Sequence, residues 1–192
     1  FSKTAAEICE GQQYDVDYEA RTKVEIEEYI EMIRLKTAVL LGCALKTGAI
    51  IGNASPEDAN LLYECGINIG LAFQLKDDML DVYGDEATFG KKIGGDILCN
   101  KKTYLLIQAL ECAQGEDKVK LNRFLEDKTL SDAEKIKSVT LMYDKLGVKK
   151  KCEDKLRYYY EKAIANLDRI SVSDNKKQEL RKLAEKLLSR ND

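Results

Sequence analysis

A single proline in 192 residues, Pro56, leaves long stretches of chain with nothing to interrupt a helix. Leucine, alanine, glutamate and lysine are abundant and the twelve glycines are scattered, whereas a sheet would call for regularly spaced turn formers and β-branched runs. The expectation is an all-α fold. With 44% apolar and 34% charged residues the chain can bury one sizeable core, and it reads as a single domain over residues 1–192, or a large piece of one.

Charge and cysteine usage exclude several classes of function. A net charge of -3 supplies no general attraction for nucleic acid or an anionic membrane. No apolar run reaches the length of about 18 residues that a membrane span requires. The six cysteines include no CxxC, and with no histidine in the chain a mixed zinc site cannot be completed. Free thiols in a reducing cytoplasm are expected. Phe1 to Cys9 has no initiator methionine and no signal-peptide zones, and it looks like the inside of a helix, so an upstream portion is expected.

Periodicity divides the chain into helices. A first stretch is expected to end near Glu10 and Gly11, with a polar segment from Gln12 to Glu19 after it. A long helix should then run from about Arg21 to Ile51, burying Ile26, Ile30, Ile33, Thr37, Leu40, Leu41 and Ala44 as one stripe. Ser55 and Pro56 start the next helix, which continues to about Tyr83. Gly66 and Gly70 within it cost roughly 1 kcal/mol each in helix propensity, which suggests close approach of a neighbouring helix or a ligand. Residues 84–100 (GDEATFGKKIGGDILCN) form a candidate lid loop. Helices follow over about Lys102–Ala113, Lys118–Leu125, Asp132–Leu146, Lys149–Ile170 and Asp174–Ser189, with a capping box at Ser131 and Glu134 and a terminator at Gly147.

Two patterns bear on chemistry. Gln74, Asp77, Asp78 and Asp81 fall at i, i+3, i+4 and i+7, so a helix puts them on one face near its carboxy end. Negative charge there costs roughly 0.3 to 1 kcal/mol, and something positive should offset it. All four side chains offer oxygen, which suits Mg²⁺, an ion that commonly joins one or two carboxylates to a substrate phosphate. A solvated acidic face is the plainer alternative. Lys36 and Thr37 interrupt an otherwise core-like helix, where the lysine either reaches the surface, pairs with a core acid, or donates to a phosphate alongside the hydroxyl. Lys91, Lys92, Lys101 and Lys102 flank the loop glycines and could fold over a polyanion, although no GxxxxGK[ST] phosphate loop is present, which disfavours a kinase or nucleotide hydrolase.

Taken in order, GQQYD, YIEMIRLKT, GINIGLAFQLKDDMLDVYGD, FGKKIGGDI and NKKT resemble the second half of the trans-isoprenyl diphosphate synthases, with high specificity from about Phe1 to Ala113. The resemblance implies an isoprenoid-synthase-type helical bundle lacking its amino-terminal helices. By matching positions it implies that Gln12, Asp15, Lys36, Thr37, Gln74, Lys91 and Lys101 bind substrate, with Lys36, Thr37, Gln74 and Lys91 the catalytic members. Asp77 would ligate Mg²⁺ directly, and Asp78 and Asp81 would complete its inner or outer shell, three ions serving each site of the intact enzyme.

The implied reaction is that of a farnesyl or geranylgeranyl diphosphate synthase, condensing an allylic diphosphate with isopentenyl diphosphate in a cytoplasmic homodimer. The family's first aspartate-rich motif and its isopentenyl-diphosphate arginines are not in this sequence, so the chain alone is expected to lack a complete active site. Rival readings are a non-catalytic subunit of such a synthase and a class I terpene cyclase.

Overall fold

The computed structural model describes residues 1–85 and 93–189, and among them the only regular structure is helical. Helix α1 spans Ser2–Ala20, α2 Ile26–Ile33, α3 Val39–Ile51, α4 Pro56–Tyr83 and α5 Gly95–Leu98. After these come α6 over Tyr104–Cys112, α7 over Gly115–Glu126, α8 over Asp132–Lys145, α9 over Val148–Asp168 and α10 over Asp174–Ser189. A π-helical turn, Arg34–Ala38, joins α2 to α3. None of the described helices is long and apolar enough to cross a membrane.

Three expectations are corrected. The first helix does not end at Gly11; it runs on through the polar segment, whose exposed side is laced by Gln13 donating to Asp17 (2.8 Å) and Tyr14 donating to Glu10 (2.9 Å). Gly11 answers a packing need instead, since a Cβ there would lie 2.4 Å from the Lys36 nitrogen and 2.7 Å from the Leu35 Cβ. The next helix starts at Ile26 and not at Arg21. Arg21 forms a two-pronged ion pair with Glu28 (2.8 and 2.9 Å), whose carboxylate also accepts from the Glu25 N–H at 2.9 Å and so caps the helix start. Third, the stretch expected to be loop between residues 84 and 100 contains α5, entered through Gly94 at φ +83°. Residues 86–92 of that stretch lie outside the described residues.

The π turn also overturns the expected buried stripe. Leu40 is 50% exposed and Ala44 faces water, while Ala38, Val39, Gly42 and Ala49 are buried. The stripe keeps its α-helical spacing through Tyr29, Met32 and Ile33, then resumes one residue late. A π turn holds one extra residue, so a 3.6-residue count carried through it falls out of phase by one position.

The chain divides into two compact units. Among the described residues, the first comprises 1–17, 30–76 and 155–189. Its core joins Leu61, Cys65 and Ile69 of α4 to Ala163 and Leu167 of α9, Ile170 and Ala184. The expected close approach at Gly66 and Gly70 is present and the neighbour is a helix. A Cβ on Gly66 would lie 2.7 Å from the backbone of Gly42, and one on Gly70 would lie 2.5 Å from the Ala38 Cα. Two pairs of small residues thus let the π turn and α3 press backbone to backbone on α4.

Among the described residues, the second unit comprises 18–29, 77–85 and 93–154. Leu105, Leu121, Val139, Tyr143 and Val148, none more than 2% exposed, fill its core. The capping box is formed, Glu134 N–H donating to the Ser131 hydroxyl (3.3 Å) and Ser131 N–H to the Glu134 carboxylate (3.0 Å). Gly147 at φ +68° separates α8 from α9, as a terminator should.

Candidate functional site

In the first unit the π turn presents Lys36 and Thr37. The Lys36 ammonium donates to Asp15 at 2.6 Å, and the pair is only 32% and 15% exposed. The Thr37 hydroxyl donates to the Gln74 side-chain oxygen at 3.2 Å, a contact that the glycine-mediated approach of α4 makes possible. Four residues singled out from the sequence therefore meet as two bonded pairs. Gln12 lies one turn before Asp15 on α1 and is exposed. Lys36 is thus paired with a partly buried acid in this structure. A π-helical insertion of this kind turns up disproportionately where side chains must be aimed for function.

In the second unit the acidic residues at the end of α4 have three different environments. Asp77 is half-buried. Asp78 is 4% exposed, and its carboxylate accepts the Tyr29 hydroxyl at 2.5 Å. Asp81 is held at two points by the chain that enters α5. Its backbone carbonyl accepts the Gly94 N–H at 2.6 Å and its carboxylate accepts the Asp96 N–H at 3.0 Å. Lys101 reaches back to the Asp96 carboxylate at 3.5 Å, while its own N–H donates to the Asp96 carbonyl at 2.9 Å.

The electrostatics match that crowding. Burial pushes the Asp81 carboxyl above its ordinary value, opposed by the Asp96 N–H and Lys101, and Asp77 adds like-charge repulsion. Burial raises Asp96 as well, with Lys101 pulling the other way and Asp81 and Asp77 pushing up. The Tyr29 hydroxyl is raised first by burial and then by the Asp78 charge. Two of these acids would shed strain on meeting a cation. Among the described residues, however, no three carboxylates or thiols converge closely enough to share an ion. What fits is a hard cation taking one or two oxygens from the protein and the remainder from water or phosphate, the coordination that Mg²⁺ favours.

The sequence reading assigned no role to Tyr29 or Asp96. Tyr29 stands two helical turns before Lys36, and Asp96 closes the FGKKIGGDI stretch, but neither position announces its partner. Lys91 and Lys92, expected over the phosphate, lie outside the described residues.

The family described as polyprenyl synthetase matches residues 1–142. A short chain isoprenyl diphosphate synthase of Methanothermobacter thermautotrophicus is 44% identical over 133 residues, covering 68% of this chain and 41% of that protein. The geranylgeranyl diphosphate synthase of Sulfolobus acidocaldarius is 35% identical over 192 residues, covering 96% of this chain and 56% of its own. A crystal structure of a geranylgeranyl pyrophosphate synthase matches with a TM-score of 0.92 and 41% identity over 100% of this chain and 60% of the other. The chain thus spans about half the length of these relatives.

Proposed function

The chain belongs to the polyprenyl synthetase family, and from that premise we propose that it is the carboxy-terminal part of a larger prenyltransferase domain, of the short-chain type, that condenses an allylic diphosphate with isopentenyl diphosphate. The observation that carries the reading is the pair of half-buried carboxylates at the end of α4, Asp77 and Asp81, set in like-charge contact beside Asp96 and answered by Lys101. Oxygen donors in that state suit a divalent cation that arrives carrying a polyanion. Relatives named as short chain isoprenyl and geranylgeranyl diphosphate synthases support the short-chain type, and the intact enzyme is expected to be a homodimer in the cytoplasm, using three Mg²⁺ in each site.

Each residue has a definite task. Asp77 would hold metal directly, with Asp81 oriented beside it by its bonds to Gly94 and Asp96. Lys36 and Thr37 would donate to diphosphate oxygens, Lys36 exchanging the Asp15 carboxylate and Thr37 exchanging the Gln74 oxygen for the ligand. Lys101 and Lys91 would neutralise further phosphate charge. Bound Mg²⁺ would supply charge stabilisation to the departing diphosphate. As the allylic C–O bond breaks, its electron pair leaves with the diphosphate, and the lysines stabilise that charge at the moment it develops. The double bond of isopentenyl diphosphate then forms the new C–C bond to the allylic cation. A proton is lost, taken by the released diphosphate in a chain with no histidine to accept it.

Calorimetric titration with pyrophosphate, with and without Mg²⁺, tests the reading. Uptake by this chain is expected to require Mg²⁺ and to disappear in Asp77→Asn. Lys36→Ala should weaken it by about tenfold or more, the loss of a charge-assisted hydrogen bond. A non-catalytic subunit has no use for Asp77, so uptake indifferent to Mg²⁺ and to Asp77→Asn would reject the prenyl-transfer assignment. Because the first aspartate-rich motif is not in the sequence, no condensation product is expected from this chain alone.

A further inference from the structure

Asp78 stands between the two candidate ligands of the acidic turn, yet its carboxylate points into the second unit and not out of it. It is 4% exposed, and the group that receives it, the Tyr29 hydroxyl, belongs to a side chain only 1% exposed and 49 residues away in sequence. Neighbouring residues on a helix project about 100° apart. Fixing Asp78 by a buried hydrogen bond therefore sets the rotation of the last turn of α4 about its own axis, and with it the direction in which Asp77 and Asp81 project.

Tyr29 has a second contact that bears on the same region. Its ring packs edge-on against Tyr104, with centroids 6.3 Å apart and planes at 61°. Tyr104 is the first residue of α6, and the Thr103 hydroxyl before it caps that helix by accepting from the Leu106 N–H. Lys101 lies just upstream of this cap. One tyrosine thus touches the acidic turn through its hydroxyl and the root of the lysine-bearing segment through its ring.

We propose that Tyr29 is a positioning residue for the metal-diphosphate site: its hydroxyl holds Asp78 inward, so that Asp78 orients the turn and does not ligate the ion, and its ring seats the segment that carries Lys101. The proposal rests on the reading of this turn as a site for metal-bearing diphosphate. It separates Asp78 from Asp81, which the resemblance had grouped as inner- or outer-shell partners of the ion: Asp81 faces the ligand with Asp77, and Asp78 steers them both. A tyrosine that merely filled space could be replaced by phenylalanine without consequence for the site, whereas the geometry makes the hydroxyl the part that matters.

The test compares Tyr29→Phe, Asp78→Asn and Asp77→Asn in the full 192-residue chain, each titrated with Mg²⁺ in the presence of pyrophosphate well below its own melting temperature. Tyr29→Phe is expected to raise the Mg²⁺ concentration for half-maximal pyrophosphate uptake by about tenfold, the scale on which groups that orient metal ligands act, because the turn carrying Asp77 and Asp81 would lose its fixed rotation. Asp78→Asn still accepts the tyrosine hydroxyl and should lose several times less than Asp77→Asn. A folded Tyr29→Phe chain with unaltered Mg²⁺ dependence would overturn the proposal while leaving the diphosphate reading intact. Equal losses from Asp77→Asn and Asp78→Asn would make Asp78 a ligand, with the same result, and this comparison stands even where Tyr29→Phe fails to fold. A wild-type chain that takes up no pyrophosphate at any Mg²⁺ concentration would reject both the diphosphate reading and this inference.

Discussion

Asp81 and Asp96 hold their protons more tightly than carboxyls in water, because burial removes solvation from the charged form and Lys101 offsets only part of that cost. Their folded-state affinities lie above the ordinary value of 3.8, so the native chain binds more protons at these positions than the unfolded one. Stability contributed here is fully present below about pH 4 and is lost as pH rises through the folded values. Asp96→Asn removes the charge that is penalised. In urea titrations its unfolding midpoint should therefore gain on the wild type as pH rises from about 4 through the raised folded value of Asp96. A difference that shrinks over that interval would contradict the burial argument. At this scale the sequence displayed the ligand chemistry well, since oxygen donors at helical spacing and the lysine-threonine pair could be read directly. It could not display Tyr29 with Asp78, or Asp58 accepting from the Ser171 N–H at 3.0 Å across 113 residues, because such pairings exist only once the chain has closed.

Elements were legible wherever their signals are local. Pro56 to Tyr83, the Ser131 capping box and the Gly147 break stand where propensity and capping chemistry place them. The π turn is different, for no residue in Arg-Leu-Lys-Thr-Ala marks an insertion, and tertiary packing decides it. The missed phase change put Leu40 and Ala44 in the expected core. Glycines were read partly right: Gly66 and Gly70 do mark a tight approach, whereas Gly11 marks another and not a helix end. That distinction can be measured. Gly70→Ala must push its Cβ into the Ala38 backbone, 2.5 Å away, and should cost about 1–3 kcal/mol in unfolding free energy. Gly48→Ala, in the exposed last turn of α3 with nothing within 4 Å, should instead stabilise by about 0.5–1 kcal/mol. Denaturant midpoints that move the same way in both variants would refute the packing account.

For the whole molecule, family membership and helical class followed from several spaced motifs agreeing in order, which is stronger than any one of them. The division into two compact units was not visible, since it cuts through α4 between Lys76 and Asp77, where the sequence changes neither composition nor periodicity. One consequence at this scale comes from the displaced stripe of α3. Leu40 at 50% exposure near the start of α3, and Ile50 at 60% and Ile51 at 77% near its end, leave apolar ledges on this helix. Salting-out agents act on such ledges by making molecules stick rather than by loosening any one of them. Ile51→Gln should leave the unfolding free energy within about 0.5 kcal/mol while moving the onset of light scattering to higher ammonium sulfate. An unmoved onset would mean that the ledge is not where copies first adhere. On this account the surface of α3 bears on how copies of this chain meet in concentrated salt, and the light-scattering onset is where that would be seen.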